Sequence, residues 1–69
     1  MTEEMKFFLF LLERYAAHKR LPTGEVLKTW EDAGITREIF DGYPEYHTEC
    51  MENAFEDIDS LVASHTHAW

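Results

Sequence analysis

Apolar residues in the last third of the chain recur at the spacing of one helix face. They are Met51, Ala54, Phe55, Ile58, Leu61 and Val62. A recurrence every three to four residues predicts an amphipathic helix, here from about Thr48 to Ser64. The acidic side chains between them are expected on the solvated side of this helix, and they are Glu49, Glu52, Glu56, Asp57 and Asp59.

The first segment, from about Thr2 to His18, also predicts a helix but carries apolar residues on nearly every face. Phe8, Leu11, Leu12 and Tyr15 follow the helical spacing, whereas Phe7, Leu9 and Phe10 occupy other faces. Leu21-Pro22 ends the segment, because the residue before a proline avoids helical geometry. This helix is therefore either the central helix of the domain or one that presents Phe7 and Phe10 to a partner.

Two shorter helices are predicted between these segments. One runs from about Gly24 to Ala33, between a Thr23 cap and the Gly34 stop, and the other follows Thr36 as far as Asp41. A turn then carries Tyr46 and His47, and no stretch alternates with the period of a strand. The pattern predicts an all-α fold, a compact bundle of about four helices in which the first and last are the longest. We expect residues 1–64 to form a single helical domain and residues 65–69 to form a flexible tail.

The distribution of charge changes this picture more than the total does. The 69 residues carry a net charge of −8. Residues 1–30 hold four acids and five bases, a net of +1, whereas residues 31–69 hold ten acids and one base, a net of −9. An acidic chain repels nucleic-acid phosphate and anionic membrane surfaces, so we expect neither as a partner. The acidic second half is expected either to aid solubility or to attract a basic protein.

The apolar run at positions 7–12 is only six residues long. A membrane span needs about 20 apolar residues, and no basic leader precedes the run. The single cysteine, Cys50, fits a reducing compartment, so we expect a cytoplasmic protein.

Two segments resemble motifs of known chemistry but lack residues that the chemistry needs. The segment from Leu27 to Phe40 has the order of a helix-turn-helix, but its second helix offers only Arg37 to DNA. We interpret it as an ordinary helical corner. His47 and Cys50 leave open a small metal-binding or catalytic protein, although a zinc site needs three or four converging ligands. We expect no enzyme activity, no cofactor and no metal.

Several segments, in this order, resemble one bacterial family. They are Phe7 to Tyr15, Thr23 to Leu27, Gly42-Tyr43, Tyr46-His47-Thr48 and Glu56 to Asp59. Together they resemble the family of short bacterial proteins called domain of unknown function 3791, which is frequent in gut bacteria. In that family Gln-Gly often follows His-Thr, whereas this chain has Glu49-Cys50. Members are often encoded beside a small protein similar to an ADP-ribosyltransferase, so the resemblance implies a partner or antitoxin role.

The leading interpretation is a non-enzymatic, acidic protein–protein interaction domain with an antitoxin-like role. The candidate contact residues are Phe7, Phe10, Glu49, Glu52, Glu56, Asp57 and Asp59. A homodimer that buries Phe7 and Phe10, and a protein whose chemistry centres on His47 and Cys50, remain as alternatives.

Overall fold

The computed structural model describes residues 1–68, which form five helices. They are α1 (Glu3–Lys19), α2 (Thr23–Ala33), α3 (Thr36–Asp41), α4 (Tyr43–Tyr46) and α5 (Met51–Ser64). Residues 1–68 contain no strand, so the all-α prediction is confirmed. The first and last helices are the longest, as predicted, and the predicted turn at Tyr46 forms the additional short helix α4. None of the helices described is long and apolar enough to cross a membrane.

Local signals explain the ends of α1. The Thr2 hydroxyl accepts a hydrogen bond from the Met5 amide at 3.1 Å, and two glutamates occupy the first turn. A side-chain acceptor satisfies an amide that the helix leaves unpaired, and the acids complement the helix dipole. Arg20 ends α1 in the left-handed conformation, with φ of 60°. The chain can then turn through Pro22 into α2.

The corner between α2 and α3 forms at Gly34, which adopts φ of +72°. The Gly34 amide bonds to the Glu31 and Trp30 carbonyls, and the Ile35 amide bonds to Trp30 at 3.0 Å. This left-handed glycine satisfies the last carbonyls of α2 and redirects the chain. Ile35 is fully buried, so the corner is fastened to the core.

Aromatic side chains of α1 reach every other helix, which makes α1 the central helix. Phe8 lies 5.9 Å from Trp30 of α2 and 5.8 Å from Phe40 of α3, measured between ring centroids. Tyr15 lies 5.7 Å from Phe55 of α5. Aromatic pairs at these separations add to the stability gained from burial. The apolar excess of the first segment is thus partly explained by the number of its neighbours.

Helix α5 begins at Met51, three residues later than the predicted start at Thr48. The Thr48 hydroxyl donates to the Glu45 carbonyl at 3.0 Å and so bonds backward to α4. Cys50, with extended backbone angles, precedes the helix instead. The predicted start was wrong because the Thr48 side chain caps the preceding turn.

Candidate functional site

Asp57 is fully buried in the middle of α5, where sequence analysis predicted a solvated acid. The prediction that Asp57 belongs to an exposed acidic face is therefore wrong. The residue stands with Ala54, Ile58 and Leu61 on the side of α5 that faces the core. A buried carboxylate requires partners, because an unpaired charge in the interior is strongly destabilising.

Both carboxylate oxygens of Asp57 have partners outside α5, 10 or 11 positions away in the chain. The Tyr46 hydroxyl of α4 donates to Oδ2, and the Ala68 amide donates to Oδ1 at 2.6 Å. His67 Nδ1 lies 2.8 Å from Oδ2. Asp57 therefore connects α4 and α5 to the residues that follow α5. Residues 65–68 of the predicted tail are thus in contact with the domain, and Trp69 lies outside the described residues.

His67 bridges two carboxylates. Its second ring nitrogen, Nε2, lies 2.8 Å from a carboxylate oxygen of Glu38 on α3. The hydrogen bond to Asp57 raises the pKa of His67, and burial opposes this effect. The hydrogen bond to Glu38 and the negative charge of both acids raise the pKa further. We define Glu38, Tyr46, Asp57 and His67 as the Asp57 cluster.

Tyr46 is almost fully buried within this cluster. Burial raises the pKa of Tyr46, and its hydrogen bond to Asp57 raises it further. The phenol therefore stays neutral and acts as a hydrogen-bond donor.

The sequence pattern does not indicate that Glu38, Tyr46 and His67 belong to one site. One signal was available, because positions 54, 57, 58 and 61 have the spacing of a single helix face. An aspartate at such a position indicates a buried carboxylate with partners. The hydrogen-bonded pairs of the cluster join residues that are 10 to 29 positions apart, and these separations follow no fixed spacing.

Asp59 lies beside α1 and is partly exposed. It accepts a hydrogen bond from the Tyr15 hydroxyl at 2.6 Å and pairs with Lys19 at 3.0 Å. Burial raises the pKa of Tyr15, and the bond to Asp59 raises it further. Asp59 thus joins α5 to α1, whereas the predicted contact residues Glu49, Glu52 and Glu56 are exposed.

A shallow groove lies between α1 and α4, and we call it the aromatic groove. Its lining residues are Glu3, Lys6, Phe7, Phe10, Tyr43 and His47. The Tyr43 and His47 rings are stacked 4.1 Å apart, and the Phe7 ring meets Tyr43 edge-on at 5.6 Å. These contacts hold an ordered aromatic wall beside the exposed part of α1.

The two predicted apolar contact residues differ in exposure. Phe7 is half-buried against the core, whereas Phe10 is 49% exposed. Leu9 beside it is 39% exposed, and the Arg14 guanidinium lies 5.8 Å from the centre of the Phe10 ring. Exposed apolar side chains rimmed by charged ones are typical of an interaction surface.

The alternative site at His47 and Cys50 has few groups to offer. His47 Nδ1 lies 2.5 Å from the Tyr43 carbonyl oxygen, which can only accept, so this nitrogen carries the proton. Only Nε2 of that ring is left for a metal or a proton. Cys50 is exposed, and residues 1–68 contain no group of three or more His, Cys, Asp or Glu side chains arranged to hold a metal ion.

Comparison with known proteins gives a family and no activity. No curated protein and no solved structure matches the chain. A family model described as "Protein of unknown function (DUF3791)" matches residues 6–65, which include all of α2 to α5 and most of α1. The matched region contains Tyr43, His47 and Asp57, on which the resemblance rests. The chain therefore belongs to the DUF3791 family.

Proposed function

We propose that this protein is a small, non-enzymatic interaction domain of the cytoplasm that binds a partner protein through the aromatic groove and the exposed part of α1. The observation that carries the proposal is the exposure of Phe10 beside an ordered aromatic wall. Aromatic side chains at the centre of an interface contribute much of its binding energy. Phe10 is the side chain expected to enter a pocket on the partner.

The charge of the chain favours a partner with a basic surface. Glu49, Glu52 and Glu56 are exposed on and before α5, in the half of the chain that has a net charge of −9. Complementary charge accelerates encounter and aligns two proteins, and its effect weakens as salt is added. The same charge disfavours association of two copies of this chain. The ADP-ribosyltransferase-like protein implied by the family resemblance is the first partner to test, in an antitoxin-like role.

The test is co-purification of the chain with the products of adjacent genes, followed by titration calorimetry of any complex. Phe10→Ala is expected to weaken binding by about tenfold or more. Leu21→Ala is the matched control, because Leu21 is 48% exposed but does not line the groove. It is expected to change binding by less than about twofold.

Two outcomes would overturn this proposal. One is a complex that Phe10→Ala and Leu21→Ala weaken equally. The other is a homodimer, detected by light scattering, that Phe10→Ala dissociates.

Replacing Glu49, Glu52 and Glu56 together by Gln tests the contribution of the acidic charge to binding, and slower association with the partner at low salt is the expected result.

A further inference from the structure

The contacts of His67 require a charged ring. Nδ1 and Nε2 each lie 2.8 Å from a carboxylate oxygen, of Asp57 and Glu38 respectively. An ionised carboxylate only accepts hydrogen bonds, and a neutral imidazole carries one N–H. Both bonds can therefore form together only when His67 holds two ring protons and a positive charge. Bonds of this kind are shorter and stronger than neutral ones.

The surroundings of His67 are acidic on every helix that meets it. Glu38 and Asp41 face it from α3, Glu45 faces it from α4, and Asp57 faces it from α5. The neutral Tyr46 hydroxyl of α4 donates to the same Asp57 oxygen that His67 contacts. Arg37, the base on α3, pairs with Asp41 at 3.0 Å. The positive charge of His67 thus offsets a concentration of negative charge at the end of the bundle.

We propose that His67 is a protonation-dependent latch, which holds the segment of residues 65–68 against Asp57 and Glu38 when its ring is charged and loosens that segment when the ring is neutral. The proton that leaves is the one on Nε2, since Glu38 is partly exposed and Asp57 is fully buried. A neutral Nε2 then presents a lone pair to the Glu38 carboxylate. The bond to Glu38 is lost, and the bond to Asp57 no longer has a charged donor.

The direction of the pH effect follows from these contacts. The pKa of His67 lies above its ordinary value of 6.5 in the folded protein. The stabilisation that the latch adds is therefore fully present below about pH 6.5 and is lost as the pH rises through the folded value. The latch is closed in mild acid and opens as the pH rises through the raised pKa of His67.

The experiment follows His67 and Ala68 by NMR in the full chain. The ring carbons of His67 report its titration, and relaxation of the Ala68 methyl group reports how firmly the segment is held without depending on amide exchange. We expect His67 to titrate above 6.5, and the order parameter of the Ala68 methyl to fall through the same pH range. The methyl group of Ala63, on α5, is the internal control and should not change.

Two substitutions separate direct bonding from the general acidic field. Glu38→Gln removes the charge that meets Nε2 and should lower the proton affinity of His67 by about threefold or more. Glu45→Gln removes an acid of the same pocket and should have a clearly smaller effect. Equal effects of the two variants would contradict the bridge that the latch requires.

His67→Gln completes the test, because glutamine donates hydrogen bonds but carries no charge. Its Ala68 methyl should be mobile at every pH, whereas His65→Asn, two residues away, should keep the wild-type profile. The proposal would be overturned if the order parameter of the Ala68 methyl in His67→Gln still changed with pH as it does in the wild type. It would also be overturned if the wild-type Ala68 methyl remained rigid after His67 had lost its proton.

Discussion

Replacing Asp57 by alanine is expected to be among the most damaging changes that this chain can receive. The substitution leaves Tyr46, the Ala68 amide and charged His67 without their shared acceptor. Breaking a buried ion pair by removing one partner costs about 3–5 kcal/mol. The higher helix propensity of alanine offsets roughly 0.5 kcal/mol of this destabilisation. The expected net loss is about 2.5–4.5 kcal/mol in the free energy of unfolding.

That loss is large for a chain of this size. At about 0.05–0.15 kcal/mol per residue, a domain of 69 residues has a total stability of roughly 3–10 kcal/mol. Urea unfolding at pH 6, followed by circular dichroism and by the fluorescence of buried Trp30, measures the difference. Glu56→Ala is the matched control, because Glu56 is the exposed neighbour on the same helix. A substitution there should change stability by less than about 0.5 kcal/mol.

If Asp57→Ala and Glu56→Ala unfolded at the same urea concentration with the same slope, the bonds of Asp57 would contribute no net stability. A second variant, Asp57→Asn, keeps an acceptor for the Ala68 amide and is expected to lie between Asp57→Ala and the wild type. An Asp57→Asn protein less stable than Asp57→Ala would also contradict the account, because it retains one of the three bonds.

Three further changes have defined outcomes. The free energy of unfolding should fall as the pH rises past about 10. The cause is that the pKa values of Tyr15 and Tyr46 are raised in the folded state, so both tyrosines ionise first in the unfolded chain. Denaturation at several pH values measures this fall, which should be shallower in Tyr15→Phe. Gly42→Ala should cost about 1–3 kcal/mol in a thermal melt. The cause is that its Cβ would lie 2.5 Å from the ring of buried Tyr46. Gly24→Ala, which meets nothing within 4 Å, should instead stabilise the protein by about 0.4–1 kcal/mol in the same assay.

Helices α1, α2 and α3 could be predicted from sequence because their boundaries depend on nearby residues. Thr2 and Gly34 act through bonds or backbone angles within a few positions of themselves. The predicted Thr23 cap is wrong, because Thr23 is the first residue of α2 and Pro22 precedes the helix without a side-chain cap bond. The start of α5 could not be predicted this way, because Thr48 can cap either the turn before it or the helix after it. The structure shows the first, and α4 supplies the acceptor.

The Asp57 cluster could be predicted only in part, for a different reason. The helical spacing of α5 indicates that Asp57 faces inward, but no local pattern identifies its partners. Glu38 and His67 are 29 positions apart, and they meet because the segment that follows α5 lies beside α3. Exposure of Phe10 was predictable, since α1 has more apolar residues than one face can bury.

The central position of α1 has a consequence for synthesis of the protein. The side of α1 that carries Tyr15 is covered only after Phe55, its ring partner 40 positions later, has been synthesised. At about 5–20 residues per second, translation of that interval takes roughly 2–8 s. During those seconds the side of α1 that carries Tyr15 lacks the cover that Phe55 provides in the folded protein. A domain this small therefore gains its final packing only when nearly all of its chain has been made.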